Sequence, residues 1–162
     1  MNQPDGITSL AAFVNARLDE DEAAAKAVED NSAPWAGQWQ PRERHALETF
    51  NGWVLAVSVP AGSDFAPGVV EHIARHDPAR VLREIEGKRK RLALYLDAEK
   101  ALAAALSAAP SQDDPATAHT HVRERISANR ASGRFTALEM SVRLDAMAWS
   151  GHPDYEQEWA VP

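Results

Sequence analysis

The pair Asp77-Pro78, followed by the proline-free stretch 79–109, constrains the fold more than any other feature of this chain. Aspartate is a favoured helix N-cap, and proline is tolerated at the first helical position because its missing N–H would have no partner there. Apolar residues then recur at helical spacing: Leu82, Ile85, Leu92, Leu96, Leu102 or Ala103, and Leu106. The pattern predicts a helix over 78–108, about 45 Å long at about 1.5 Å per residue. We expect it to pack on an antiparallel helix or to protrude into a dimer.

Further helices are predicted on both sides of this long one. Residues 8–30 form the first, capped by Thr8 or Ser9, and its apolar stripe is Leu10, Phe13, Val14, Leu18, Ala25 and Val28. A short helix is expected over 68–76. After a connector at 109–117, the pattern predicts helices over 117–130 and 134–149, or one helix bent near Ser132-Gly133, and then an aromatic tail at 150–162.

Residues 35–60 change character and predict β-structure. Asn51-Gly52 lies between two β-capable runs, and this dipeptide supplies the positive φ angles of a tight hairpin turn. We expect strands at 45–50 and 53–59, with Trp35 to Trp39 as the edge strand of a three-stranded alternative. The predicted fold class is therefore α+β, mainly helical: an N-terminal helix, a small antiparallel hairpin or three-stranded sheet, and a long central helix packed with one or two C-terminal helices. One domain spanning residues 1–162 is expected.

Composition excludes several kinds of site. The chain has no cysteine, which removes disulfides, thiolate nucleophiles and cysteine-ligated metal centres. No signal sequence is evident, and the apolar runs fall far short of the roughly 20 residues that a membrane span needs. We therefore expect a cytoplasmic protein. A net charge of −7 and a pI near 5.3 disfavour nucleic-acid binding, because phosphates are normally met by a basic surface.

The charges are divided into two blocks of opposite sign. Residues 1–31 contain seven acidic and two basic side chains, whereas residues 75–91 contain seven basic and three acidic ones. Such blocks most simply face each other or face a second copy of the chain.

His72 and His76 are the weak candidates for metal ligation. Their i, i+4 spacing places two imidazoles on one helix face, as in helical zinc sites. The residue after His72 is Ile73, where a metalloprotease motif would have glutamate. The alternative is structural: His72 packs, and His76 lies at a helix end beside the Asp77 cap, where a positive imidazole is favourable.

A candidate interaction surface combines the basic segment with the C-terminal aromatics. Its members are Arg80, Arg83, Lys88, Arg89, Arg91, Tyr155 and Trp159. The competing interpretation is that the basic run is a solvated helix surface facing the acidic block, and that the two rings belong to the core. No catalytic or cofactor-binding residues are predicted. The acidic run 19–22 lacks the alternating ligands of a calcium loop, and nucleophile or phosphate-loop motifs are absent.

Three segments carry a family resemblance: FVNARLDEDE at 13–22, HIARHDPARVLREIEGKRKRL at 72–92 and HPDYEQEW at 152–159. The chain resembles a family of small uncharacterised proteins from actinobacteria and their phages, which is known as a domain of unknown function. The resemblance implies no activity, ligand or cofactor.

The function predicted from these observations is that of a small non-enzymatic interaction or regulatory protein of a bacterial or phage cytoplasm, self-associating through its long amphipathic helix. The predicted partner is a second copy of the chain or another protein. No membrane and no cofactor are expected, and the sequence does not identify a small-molecule ligand. One alternative is a metal-assisted, hydrolase-like enzyme built around His72 and His76. A second is nucleic-acid binding through the basic segment 80–91.

Overall fold

The computed structural model describes residues 5–29, 39–43, 46–49, 54–56, 69–108 and 118–162, with side chains of the first helix described from Leu10 onward. Four α-helices account for most of them: α1 (Asp5–Glu29), α2 (Val69–Arg75), α3 (Pro78–Ser107) and α4 (Ala118–Ala146). Two short 3₁₀ turns follow in the C-terminal segment, at Met147–Trp149 and Gln157–Trp159.

The predicted mainly helical character is confirmed, but the α+β class is wrong, because β-structure is a minor part of the described residues. Three short strands, β1 (Trp39–Glu43), β2 (Ala46–Thr49) and β3 (Val54–Ala56), pair antiparallel in the order β1-β2-β3. The predicted turn at Asn51-Gly52 lies outside the described residues. A two-residue turn at Asn51-Gly52 would pair residue 49 with 54, whereas Val54 pairs with Glu48. The observed pairing of β2 with β3 is therefore shifted by one residue from that of a two-residue turn.

The start of α3 is set by Asp77, as its position before Pro78 predicts. The Asp77 Oδ1 accepts a hydrogen bond from the Arg80 backbone N–H at 2.6 Å, and its carbonyl accepts one from Val81 at 3.0 Å. The carboxylate therefore satisfies one of the first-turn N–H groups that have no partner within a helix. Asp77 is buried, and the predicted cap is confirmed.

The C-terminal helical segment is one continuous helix, α4, and Ser132-Gly133 lies within it. The prediction left open two helices or one bent helix at this point. A single glycine inside a helix costs about 1 kcal/mol relative to alanine, which is too little to break a helix of 29 residues.

The chain divides into two compact units, and the boundaries fall within α1 and α3. The first unit comprises Met1–Arg17 and Lys88–Pro162, and the second comprises Leu18–Gly87. Burial confirms most of the predicted α1 stripe, whose buried members are Leu10, Phe13, Val14, Leu18 and Ala25. The core of the first unit also contains Leu92, Tyr95, Ala98, Val142, Ala146, Tyr155 and Trp159. The expectation that residues 1–162 form one domain stays a prediction.

Among the helices of the described segments, none combines the length and the apolar character that crossing a bilayer would require.

Candidate functional site

The two histidines lie at the end of the short helix α2, where both are exposed. Their ring centroids are 4.5 Å apart, and His76 Nδ1 donates a hydrogen bond to the His72 backbone carbonyl at 2.8 Å. This bond satisfies a carbonyl of the last helical turn and leaves Nε2 as the acceptor nitrogen of a neutral His76. The i, i+4 spacing therefore allows the His76 ring to bind a backbone carbonyl at the end of α2. This is a structural role for a spacing that also occurs in metal sites.

An open groove of about 350 Å³ lies beside His76 in the second unit. Two of its wall residues are ionisable, Asp21 and His76. The others are apolar: Ala24, Ala25, Val28, Trp39, Pro78 and Val81. Nowhere in the described residues do three or more histidine, aspartate or glutamate side chains form a group able to hold a metal ion. The metal hypothesis for His72 and His76 stays a prediction, and the groove offers an apolar recess with two polar groups at its wall.

Side chains of the basic segment have described contacts in each of the two units. In the second unit, Arg80 pairs with Glu84 one turn along α3 at 2.7 Å. In the first unit, Lys88 Nζ lies 4.6 Å from the centre of the Trp149 ring. The expectation that the basic run meets the acidic N-terminal block stays a prediction. The role of Arg83 and Arg89 as surface residues stays a prediction.

Arg91 of α3 forms a two-pronged pair with Asp145 of α4. Its Nε and Nη2 donate to the two carboxylate oxygens at 2.8 and 2.7 Å. These hydrogen bonds to Asp145 raise the pKa of Arg91 above its ordinary value. Two parallel N–H···O bonds define the relative orientation of the groups more strictly than a single contact does, so this pair orients α4 on α3.

Tyr155 and Trp159 are core residues of the first unit, and the interpretation that made them part of a surface is wrong. They are 9% and 3% exposed and pack on Phe13, with ring centroids 6.0 and 5.0 Å away. Arg17 covers the same Phe13 ring and donates a hydrogen bond to His152. The C-terminal tail is therefore held on α1 by an aromatic cluster.

Tyr95 is the most deeply buried large side chain on α3, with 0% exposure, and it stacks on Phe135 of α4 at 5.5 Å. Its hydroxyl has no hydrogen-bond partner among the described residues. Burial, reinforced by the nearby Glu99 and Glu139, raises the pKa of Tyr95 far above its usual range. A phenol with a raised pKa does not ionise near neutrality, so Tyr95 is suited to packing and not to base or nucleophilic chemistry.

The outward face of α4 carries several large apolar side chains that are exposed to solvent. We define it as Val122, Ile126, Met140, Leu144 and, just past the helix end, Met147. Each of these side chains is between 41% and 54% exposed. At about 100° per residue they fall within a sector of about 60°, while the buried Val142 lies on the opposite side of the helix. Helix α4 thus has apolar residues on two opposite sides, one buried and one open to solvent.

A comparison with protein-family models identifies the family of this chain. The model described as "Family of unknown function (DUF6221)" matches residues 7–161. The chain belongs to this family. Searches of the curated proteins and of the solved structures found no match.

Membership of the DUF6221 family covers all three segments on which the resemblance rested. The first and third segments meet in the structure, since Phe13 and Arg17 contact His152 and Trp159. The middle segment contains the α2 terminus and the Asp77 cap. Sequence reasoning about this DUF6221 chain did not find the outward face of α4. The sequence signal for this face is the helical spacing of Val122, Ile126, Met140 and Leu144.

Proposed function

We propose that this DUF6221 chain is a non-enzymatic interaction protein whose partner is a second copy of itself. The proposed contact is the outward face of α4. Its placement in a bacterial or phage cytoplasm is part of the proposal and rests on the segments resembling actinobacterial and phage proteins and on the absence of cysteine.

One observation carries the proposal: two pairs of exposed apolar side chains, Val122 with Ile126 and Met140 with Leu144, are aligned on the side of α4 opposite the buried Val142. Single exposed apolar side chains are ordinary on protein surfaces, but an aligned set is typical of a binding surface. The interval from Val122 to Leu144 spans about 33 Å at about 1.5 Å per residue. The aligned set therefore extends along most of the helix.

The contact helix differs from the one that the sequence pattern suggested. Part of the predicted apolar stripe of α3 is used within the protein, since Ile85 and Leu92 are at most 6% exposed, whereas Leu106 at its end is 59% exposed. A face that is already buried has little apolar surface left for a partner, whereas the α4 face still exposes its side chains.

The expected strength follows from the size of the surface. A strip about 33 Å long and about 10 Å wide on each of two copies buries about 700 Å² in total. Stable interfaces bury about 1,600 Å², so α4 alone supports a weak, concentration-dependent dimer. Association is therefore expected to become visible between micromolar and millimolar concentrations.

Sedimentation velocity of matched charge variants tests the proposal. Ile126→Glu places a carboxylate on the outward face of α4 and is expected to abolish association. Leu94→Glu is the control, because Leu94 on α3 has nearly the same exposure, 45% against 46% for Ile126, and lies outside that face. We expect the control to dimerise like the parent chain. Equal behaviour of both variants, or a parent chain that stays monomeric to millimolar concentration, would contradict the proposal.

A further inference from the structure

We infer that two copies pair antiparallel along α4, with a two-fold axis passing beside Gly133. This inference rests on the proposed self-association and specifies its geometry. The second copy is the occupant because the outward face of α4 is complementary to itself when one helix is reversed.

The spacing of four of the five exposed residues is symmetric about Gly133, and Met147 lies outside this symmetric set. Val122 lies eleven residues before it and Leu144 eleven after, while Ile126 lies seven before it and Met140 seven after. At about 100° per residue, all five positions lie within a sector of about 40°. When a second copy of α4 lies antiparallel with its Gly133 opposite the first, Val122 of each copy faces Leu144 of the other. Ile126 of each copy likewise faces Met140 of the other. Antiparallel pairing satisfies all four exposed side chains at once.

Gly133 is explained by this pairing and not by the fold of one copy. A Cβ placed on Gly133 would have no heavy atom within 4 Å, so the described structure leaves room for a side chain there. Glycine inside a helix is less favourable than alanine, and no neighbouring atom among the described residues requires the missing side chain. At the two-fold axis, each Gly133 faces the other and allows the two backbones to approach closely.

The residues beside this face predict how the pairing responds to salt. Arg130, an exposed residue, lies beside Gly133 on one flank of the face. The two-fold axis brings it near Arg130 of the second copy, about 9 Å away along the helix axis at about 1.5 Å per residue. Salt screens such like-charge repulsion, so self-pairing is expected to tighten as salt rises. An acidic partner protein would be held less tightly under the same conditions.

Disulfide trapping tests the geometry in a chain that has no native cysteine. Under mild oxidation, Gly133→Cys is expected to cross-link to itself, because a disulfide needs Cα atoms about 4.4–6.8 Å apart. The double variant V122C/L144C is also expected to cross-link. The single variants V122C and L144C should not, since each thiol would lie about 33 Å from its copy. Leu94→Cys measures the background rate, and the circular dichroism spectrum checks that each variant is folded.

The outcomes separate the geometry from the proposed function. Cross-linking of G133C and of the double variant at least tenfold above the Leu94→Cys rate supports the antiparallel pairing. Self-cross-linking of V122C would show parallel association, which overturns this geometry and leaves self-association standing. A dimer by sedimentation that gives no cross-link above background at these positions likewise overturns the α4 geometry. A monomer at all concentrations removes the proposed function and this inference together.

Discussion

Arg91 and Asp145 join α3 to α4 through two hydrogen bonds of 2.7 and 2.8 Å. The pair lies away from the outward face of α4, so it positions the helix without occupying the surface proposed for self-association. The Asp145 side chain is only 15% exposed, whereas that of Arg91 is 40% exposed.

Asp145→Asn is expected to lower the free energy of unfolding by about 1 kcal/mol, because the partly exposed pair loses one charge and one of its two acceptor oxygens. The matched control is Glu84→Gln, which breaks the exposed Arg80–Glu84 pair and should cost only about 0.3–0.5 kcal/mol. Urea unfolding curves measure both variants. Equal losses in the two would show that the geometry of the Arg91–Asp145 pair adds nothing.

Asp77→Ala is expected to destabilise the second unit by about 1 kcal/mol, because the first turn of α3 loses the acceptor for the Arg80 N–H. Asp77→Asn keeps an acceptor oxygen and should retain most of the stability. Thermal unfolding followed by circular dichroism makes the comparison. A loss as large in Asp77→Asn as in Asp77→Ala would contradict a capping role.

Tyr95 makes stability fall at high pH. Its pKa is about 10 in an unfolded chain and is raised by burial in the folded one. Above about pH 10 only the unfolded chain releases the proton, so unfolding becomes easier by up to about 1.4 kcal/mol per pH unit. Below pH 10 both states hold the proton, and the contribution does not change with pH.

Tyr95→Phe should remove this part of the pH dependence while keeping the ring stacked on Phe135. At neutral pH the change is expected to be neutral or slightly stabilising, because the lost hydroxyl is buried without a partner among the described residues. Urea unfolding at pH 8 and pH 11 compares the variant with the parent chain. Parallel pH profiles for the two proteins would show that Tyr95 is accessible to solvent.

The parts of the fold that the sequence predicted are those determined within one helix. The Asp77 cap and most of the α1 stripe depend on local geometry and a single apolar period, and both were found. The strand pairing was predicted from the Asn51-Gly52 turn signal. The register differs by one residue, because strand pairing depends on contacts that a dipeptide does not determine.

The candidate surface was missed because α4 has apolar residues on two sides. Periodicity shows that Val122 and Val142 are both compatible with burial in a helix, but it does not show which side meets the rest of the unit. Tertiary packing buries Val142 to 1% exposure and leaves Val122 at 53%. The same limit applies to Tyr155 and Trp159, whose rings are equally suited to a surface or a core until Phe13 is placed beside them.

The most direct test of self-association through α4 uses the methionine methyl groups. The chain has three methionines, and two of them, Met140 and Met147, belong to the outward face. Carbon-13 methyl spectra are recorded from micromolar to millimolar concentration, with signals assigned by single Met→Leu variants. We expect the Met140 methyl signal to shift or broaden with concentration in the parent chain and to stay constant in Ile126→Glu. A Met140 signal that is unchanged across this range in the parent chain would contradict the proposed pairing.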